Sequence, residues 1–208
     1  GRLTLNLGLR YDLQFLQAVE TATNNLSPRA GIAWLPFDGR HTIIRASVGR
    51  FFDRVPLRAL ANALLSAGNT TDLANLRQIG VSLSPAQAGA PVFPKILGDV
   101  VASTALPNLT TMDRQMQNAY SDQGSVEVEQ QIGASSALTI GYQHLRGRQL
   151  IMSINQNVPT CVAAGSNNGC RPISTYANNS QYSAAGRSVY DAMLISFVQR
   201  PARWGSYR

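Results

Sequence analysis

Two glutamates on one strand face, two histidines and two closely spaced cysteines are the groups in this chain best suited to chemistry. Glu127 and Glu129 are one residue apart, which in an extended strand sets them about 7 Å apart on the same face, a spacing that would suit paired carboxylates. The segment around them alternates regularly: Val126, Val128 and Ile132 against Glu127, Glu129 and Gln131. The expected role is therefore a polar sheet wall. His41 borders a turn and His144 ends a strand, and neither belongs to a metal spacing such as H-E-x-x-H; both are expected at a surface or on an aqueous face. Cys161 and Cys170 lie in a loop rich in Gly, Asn and Ser with no histidine nearby. That context favours a local disulfide formed in an oxidising compartment over half of a zinc site. The sequence contains no phosphate loop, nucleophile elbow or dinucleotide fingerprint. No catalytic, cofactor-binding or metal residues are expected, and the chain is not expected to be an enzyme.

Composition narrows the classes further. Charged residues make up 14% of the 208 residues and hydrophobic ones 44%, against roughly 25% charged in ordinary soluble domains, while mean hydropathy is only −0.09. A helical membrane protein would be far more apolar, and no stretch reaches the roughly 18 uninterrupted apolar residues of a spanning helix. Secreted β-proteins and membrane β-barrels remain. The net charge of +7 is carried by arginines scattered along the chain, with Lys95 the one lysine. Without a basic run, nucleic acid is not an expected partner.

The elements that position these groups are strands. From Arg2 to Leu13 every odd residue is apolar or aromatic and every even one is polar or Gly, the period-two pattern of a strand with two unlike faces. Twelve such residues exceed an ordinary strand and match the roughly 9–11 tilted residues that cross a bilayer. The pattern recurs in Arg29–Leu35 and Thr42–Phe52, joined through an Asp38-Gly39 turn that reads as a hairpin. It returns in Ser125–Ile132 and from Leu138 through Tyr142, with an extension toward Ile154, and in Met193–Val198. A seventh strand is expected from Trp204.

Connections alternate between tight turns at Asp38, Gly133 and Pro201 and long excursions over 54–120 and 155–186. Membrane barrels sort their connections in this way, with short turns on one rim and long loops on the other. Pro56 to Leu65 reads as a short loop helix with Gly68 beyond its end. Aromatic residues such as Tyr11, Trp34, Phe52 and Tyr142 gather near strand ends, where a barrel keeps its interfacial girdles. The expected fold is all-β: an antiparallel transmembrane β-barrel segment of about seven strands from a larger barrel. Leu3, Leu5, Leu7, Leu9, Ile32, Ile44, Val48, Leu138 and Ile140 would face lipid; Arg10, Arg29, Arg45, Glu127, Glu129 and Gln143 would face the lumen. A secreted, soluble β-sandwich acting as an adhesion or carbohydrate-binding module is the alternative, and it requires a second sheet against the apolar face.

Three strings carry a family resemblance. Leu5-Asn6-Leu7-Gly8-Leu9-Arg10-Tyr11-Asp12, then Leu26-Ser27-Pro28-Arg29-Ala30-Gly31-Ile32-Ala33-Trp34, then Ile44 to Asp53 resemble, in the same order, consecutive barrel strands of TonB-dependent outer-membrane receptors. The long loop and later hairpins look like the Oar-like branch, whose full-length members carry a carboxypeptidase-regulatory-like domain. The resemblance implies residence in the bacterial outer membrane and transport of an extracellular ligand not identifiable from the sequence. It also implies a plug and coupling to the TonB complex through N-terminal parts, none of which is recognisable here, so residues 1–208 are expected to be a partial barrel domain.

Overall fold

The computed structural model describes residues 1–16, 19–37, 41–67, 94, 106–161 and 170–199. Within them the chain forms β1 (Leu3–Tyr11), β2 (Leu26–Trp34), β3 (Thr42–Phe52), α1 (Leu57–Ser66), β4 (Leu109–Met112), β5 (Tyr120–Ile132), β6 (Ser136–Asn155) and β7 (Asn179–Gln199). All seven strands belong to one sheet in the order β1-β2-β3-β5-β6-β7-β4. Every pairing is antiparallel except that of β4 with β7.

Register follows from the alternation. Leu5 stands opposite Ile32, Ile32 opposite Ala46, Ala46 opposite Val126, Val126 opposite Tyr142 and Tyr142 opposite Met193. Directly opposed residues share a face, and a slip of one residue in any strand would exchange its faces. The next row, Leu3, Trp34, Ile44, Val128, Ile140 and Ile195, is likewise wholly apolar. The nine residues expected toward lipid all lie on this face, and the six expected toward a lumen all lie on the other.

Along these rows neither face carries a packed layer among the described residues. Leu7 is 83% exposed, Leu9 70% and Met193 70%, and among the described residues there is no second sheet. Burying a leucine in an apolar medium is worth about 1.5–3 kcal/mol, so such a face needs an apolar environment from outside the chain. The buried core lies above the rows instead. There α1 presents Ala59, Leu60 and Ala63 to Val55, Met112 and Met116, with Ile151 and Tyr182 against them.

The structure differs from the sequence reading in several boundaries. The excursion over 54–120 holds, besides the expected helix, strand β4, whose four residues are too few for a periodic signal. The excursion over 155–186 ends earlier, since β7 begins at Asn179: its first turn of sequence, Asn-Ser-Gln-Tyr-Ser-Ala-Ala-Gly, has a loop's composition although it pairs with Leu150–Asn155. β5 starts five residues before the expected Ser125. The Asp38-Gly39 turn, the Pro201 turn and the strand expected from Trp204 lie outside the described residues. At the β5–β6 turn Gly133 takes φ +66°, which glycine adopts without steric penalty.

The pairing of β6 with β7 is interrupted between Arg148 and Met152, and Gly186 sits where the chains crowd. A Cβ there would come within 2.9 Å of both Cβ and the carbonyl oxygen of Leu150. Gly186→Ala should therefore destabilise the folded protein by about 1–3 kcal/mol, seen as a lower temperature at which its folded band is lost on semi-native gels. An unchanged midpoint would refute this crowding.

Candidate functional site

The polar face is held together by cross-strand pairs. Arg45 Nη1 donates to Glu127 Oε1 and Glu129 Oε2, both at 2.8 Å. The glutamates are thus matched to a fixed cation between them, which suits a wall better than a proton-transfer pair. One row on, the Ser47 and Ser125 hydroxyls meet at 2.8 Å. Beyond them the Arg29 guanidinium lies 4.4 Å from the centre of the Phe51 ring, and Arg10 reaches its own strand neighbour Asp12 at 2.6 Å. A hollow of about 390 Å³ opens here, lined chiefly by residues of this face including Asn6, Arg29, Ser47, Gln123 and Gln143.

At the upper ends of the strands, buried asparagines replace apolar packing. Asn25, 1% exposed, donates from Nδ2 to the carbonyls of Asp12 and Ala22 at 3.1 Å. Asn118 Nδ2 donates to the Asp53 carbonyl at 2.9 Å, and the Val55 N–H donates to Gln14 Oε1 at 2.8 Å. These bonds tie the segments leaving β1 and β3 to those entering β2 and β5. In the second excursion Asn157 donates to the Ile173 and Ala177 carbonyls at 2.8 Å and accepts from the Ile173 N–H at 2.9 Å. Burial of the neighbouring Tyr176 pushes its phenol up from the ordinary value. Cys161 and Cys170 are joined, with Cα atoms 5.6 Å apart. Sequence reasoning missed the asparagine anchors, because their type marks a loop without naming a partner.

His41 is exposed and its carbonyl accepts from the Gln131 N–H at 2.6 Å. His144 is not on the polar face: it shares the apolar face with Tyr142, and the two converge on Asp191 at 2.7 and 2.6 Å. No cluster of three metal-ligating side chains occurs among the described residues.

The apolar face has a stepped border. On β1 and β2 it runs up to Tyr11 and Leu26; on β3 it stops at Val48, in the row of Leu7; on β5, β6 and β7 it stops at Val126, Tyr142 and Met193, in the row of Leu5. Above that line stand Arg50, Asp122, His144, Asp191, Arg146, Arg148 and Arg187, with Val189, Phe52 and Tyr120 the apolar or aromatic exceptions. The border is level on β1 and β2, falls by four residues at β3 and by two more at β5, and is level again on β5, β6 and β7. The nine residues of β1, about 27 Å long and so about 21 Å tall when tilted, approach the apolar band of about 25 Å of a membrane barrel.

This geometry agrees with known proteins. The family described as an outer membrane beta barrel domain matches residues 16–207. The chain belongs to that family. Its long strands are transmembrane strands, and its place is the bacterial outer membrane. No curated protein matches it in sequence. Among solved structures, the outer membrane transporter YddB from Escherichia coli is similar in fold at a TM-score of 0.58 and 15% identity. That match covers 94% of this chain and 19% of the transporter's chain. The siderophore receptor PirA from Pseudomonas aeruginosa aligns at a TM-score of 0.47 and 13% identity, over 92% of this chain and 27% of that one. This chain thus spans about a fifth of the transporter's length.

Both side chains of the Arg45–Glu127 pair are exposed, so the pair is expected to contribute little. A double-mutant cycle with Arg45→Ala and Glu127→Ala should give a coupling of about 0.2–1 kcal/mol by urea unfolding. A coupling of several kcal/mol would mean that this face is dry.

Proposed function

We propose that the chain is a section of the wall of a TonB-dependent outer-membrane receptor that moves a ligand, as yet unidentified, across the membrane. The observation that carries this reading is the apolar face that runs in register across six long strands and stays exposed among the described residues. In this reading Leu3, Leu5, Leu7, Leu9, Ile32, Ile44, Val48, Leu138 and Ile140 face lipid. Arg10, Arg29, Arg45, Glu127, Glu129 and Gln143 face the lumen, where their side chains stay hydrated. The three ordered strand motifs support the TonB-dependent class, and the later hairpins support its Oar-like branch. Coupling to the TonB complex would belong to a protein that joins this wall to a plug and an N-terminal segment. The chain's role is passage and recognition, not catalysis, in keeping with carboxylates tied to arginine.

The segments between β3 and β5 and between β6 and β7 are proposed to be extracellular and to contact the ligand. Asn25, Asn118, Asn157 and the Cys161–Cys170 link would hold their bases rigid. Positioning without rigidity in the whole loop is a common arrangement for binding, since loops vary while their scaffold does not.

Two experiments test the reading. Leu7→Arg should cost about 2–4 kcal/mol at the midplane, whereas Asn6→Arg, one residue away, should be tolerated. Heat-modifiable protein in the outer-membrane fraction should be depleted only for the first, and equal loss from both would sink the assigned orientation. Replacing residues 70–105 by a Gly-Ser linker should leave insertion intact and abolish retention of any small molecule captured by outer-membrane vesicles carrying the intact protein. Identical retained compounds would remove this segment from ligand binding.

A further inference from the structure

Directly above the apolar border on β6 and β7, three arginines stand together without counter-charges. Arg148 is opposite Arg187 across the β6–β7 pairing, and Arg146 is one row below, opposite Val189. All three lie on the apolar face, in phase with Leu138, Ile140 and Tyr142. Arg146 and Arg187 are exposed and Arg148 is half-buried. Like charges directly opposed on a sheet disfavour the pairing, so this arrangement calls for an anion.

Among the described residues no carboxylate supplies it. Asp122 is Arg146's cross-strand partner, but both its oxygens are taken by Arg50, at 2.7 and 3.1 Å. Asp191, farther down β7, is held by Tyr142 and His144. Among the described residues Arg146, Arg148 and Arg187 have no carboxylate partner, and the Arg148 Nε is buried without an acceptor. Position identifies the missing anion's source. From Tyr142, the last apolar residue of β6, Arg146 is about 10 Å higher along a tilted strand, and the border itself falls between Tyr142 and His144. Arg146 therefore sits at the level of the polar headgroups, which extend about 5–8 Å beyond the hydrocarbon, and Arg148 and Arg187, about 5 Å higher on the tilted strands, are within reach of that level through their long side chains. Guanidinium groups match phosphate oxygens in a planar, two-point geometry.

We infer that Arg146, Arg148 and Arg187 form an outward-facing site for the phosphate of an outer-leaflet lipid headgroup. The inference rests on the reading that this face meets lipid. The site would seat one lipid against the wall at the foot of the loop cluster built on Ile151 and Tyr182.

The test uses the delipidated protein in detergent, titrated with bisphosphorylated lipid A and followed by native mass spectrometry. Arg146→Gln/Arg148→Gln/Arg187→Gln should bind on the order of a hundredfold more weakly, while the corresponding triple lysine variant, which keeps the charge, should bind within about tenfold of the parent. Dephosphorylated lipid A should bind both parent and glutamine variant weakly, and inorganic phosphate at the same concentration should not displace the lipid. Equal binding by parent and glutamine variant overturns the site, as does equal binding of the dephosphorylated lipid or displacement by inorganic phosphate. A nitroxide at Ile195→Cys separates this from the wall reading: relaxation by oxygen rather than by a water-soluble nickel chelate places β7 against lipid. If Ile195 is in lipid and the arginines do not matter, only the headgroup site falls; if Ile195 is in water, the wall reading falls first.

Discussion

Backbone hydrogen bonds between neighbouring strands keep this sheet's two faces distinct, and every other property of the molecule depends on their register. Each strand alone is a two-sided ribbon. Only when Leu5, Ile32, Ala46, Val126, Tyr142 and Met193 fall in one row do six ribbons become a wall with one solvent on each side. The same rows put Arg45 across from Glu127 and Ser47 across from Ser125, so the polar face closes its own hydrogen bonds. In the proposed orientation a one-residue slip would place arginine in hydrocarbon and leucine in water across a whole strand, and the penalty for that error would protect the register.

Much of this was legible in the sequence because a bilayer enforces a long and strict pattern. β1, β2 and β3, the β5–β6 hairpin and α1 could all be read from alternation, turn residues and helix punctuation. What lay above the membrane was harder to read. β4 has four residues, and the upper part of β7 is built of Asn, Ser, Gln and Ala. Strands outside the bilayer need not be apolar on one side, so the signal disappears where the hydrocarbon ends. His144 shows the same limit. It was expected at a surface or on an aqueous face, and its row puts it on the outer side of the sheet just above the apolar border, beside Asp191. The asparagine anchors were illegible for another reason: hydrogen-bond partners such as Asn25 and Asn118 are far apart in sequence, and no spacing announces them.

The two ends of the strands are stabilised by different physics. In the rows, apolar side chains meet only their cross-strand neighbours among the described residues and rely on their surroundings. Above the rows, α1 buries Leu60 and Ala63 against Met112 and Met116, and amide side chains satisfy backbone groups that irregular loops leave open. The upper cluster is therefore a small globular core mounted on the wall. Its attachment runs through the ends of β1, β3 and β5 and the extended parts of β6 and β7.

The parallel pairing of β4 with the start of β7 has a temporal consequence. Leu109–Met112 meets Asn179–Tyr182, a partner segment about 70 residues downstream, as in the nearby bond between Asn108 and Asn178. A contact of such long range closes slowly, because the intervening chain must be ordered before the contact rewards it. The β4 end of the segment carrying α1 can gain this anchor only once the start of β7 is in place, whereas its two ends are tied to the tops of β1 and β3 through the Val55–Gln14 and Asn118–Asp53 bonds.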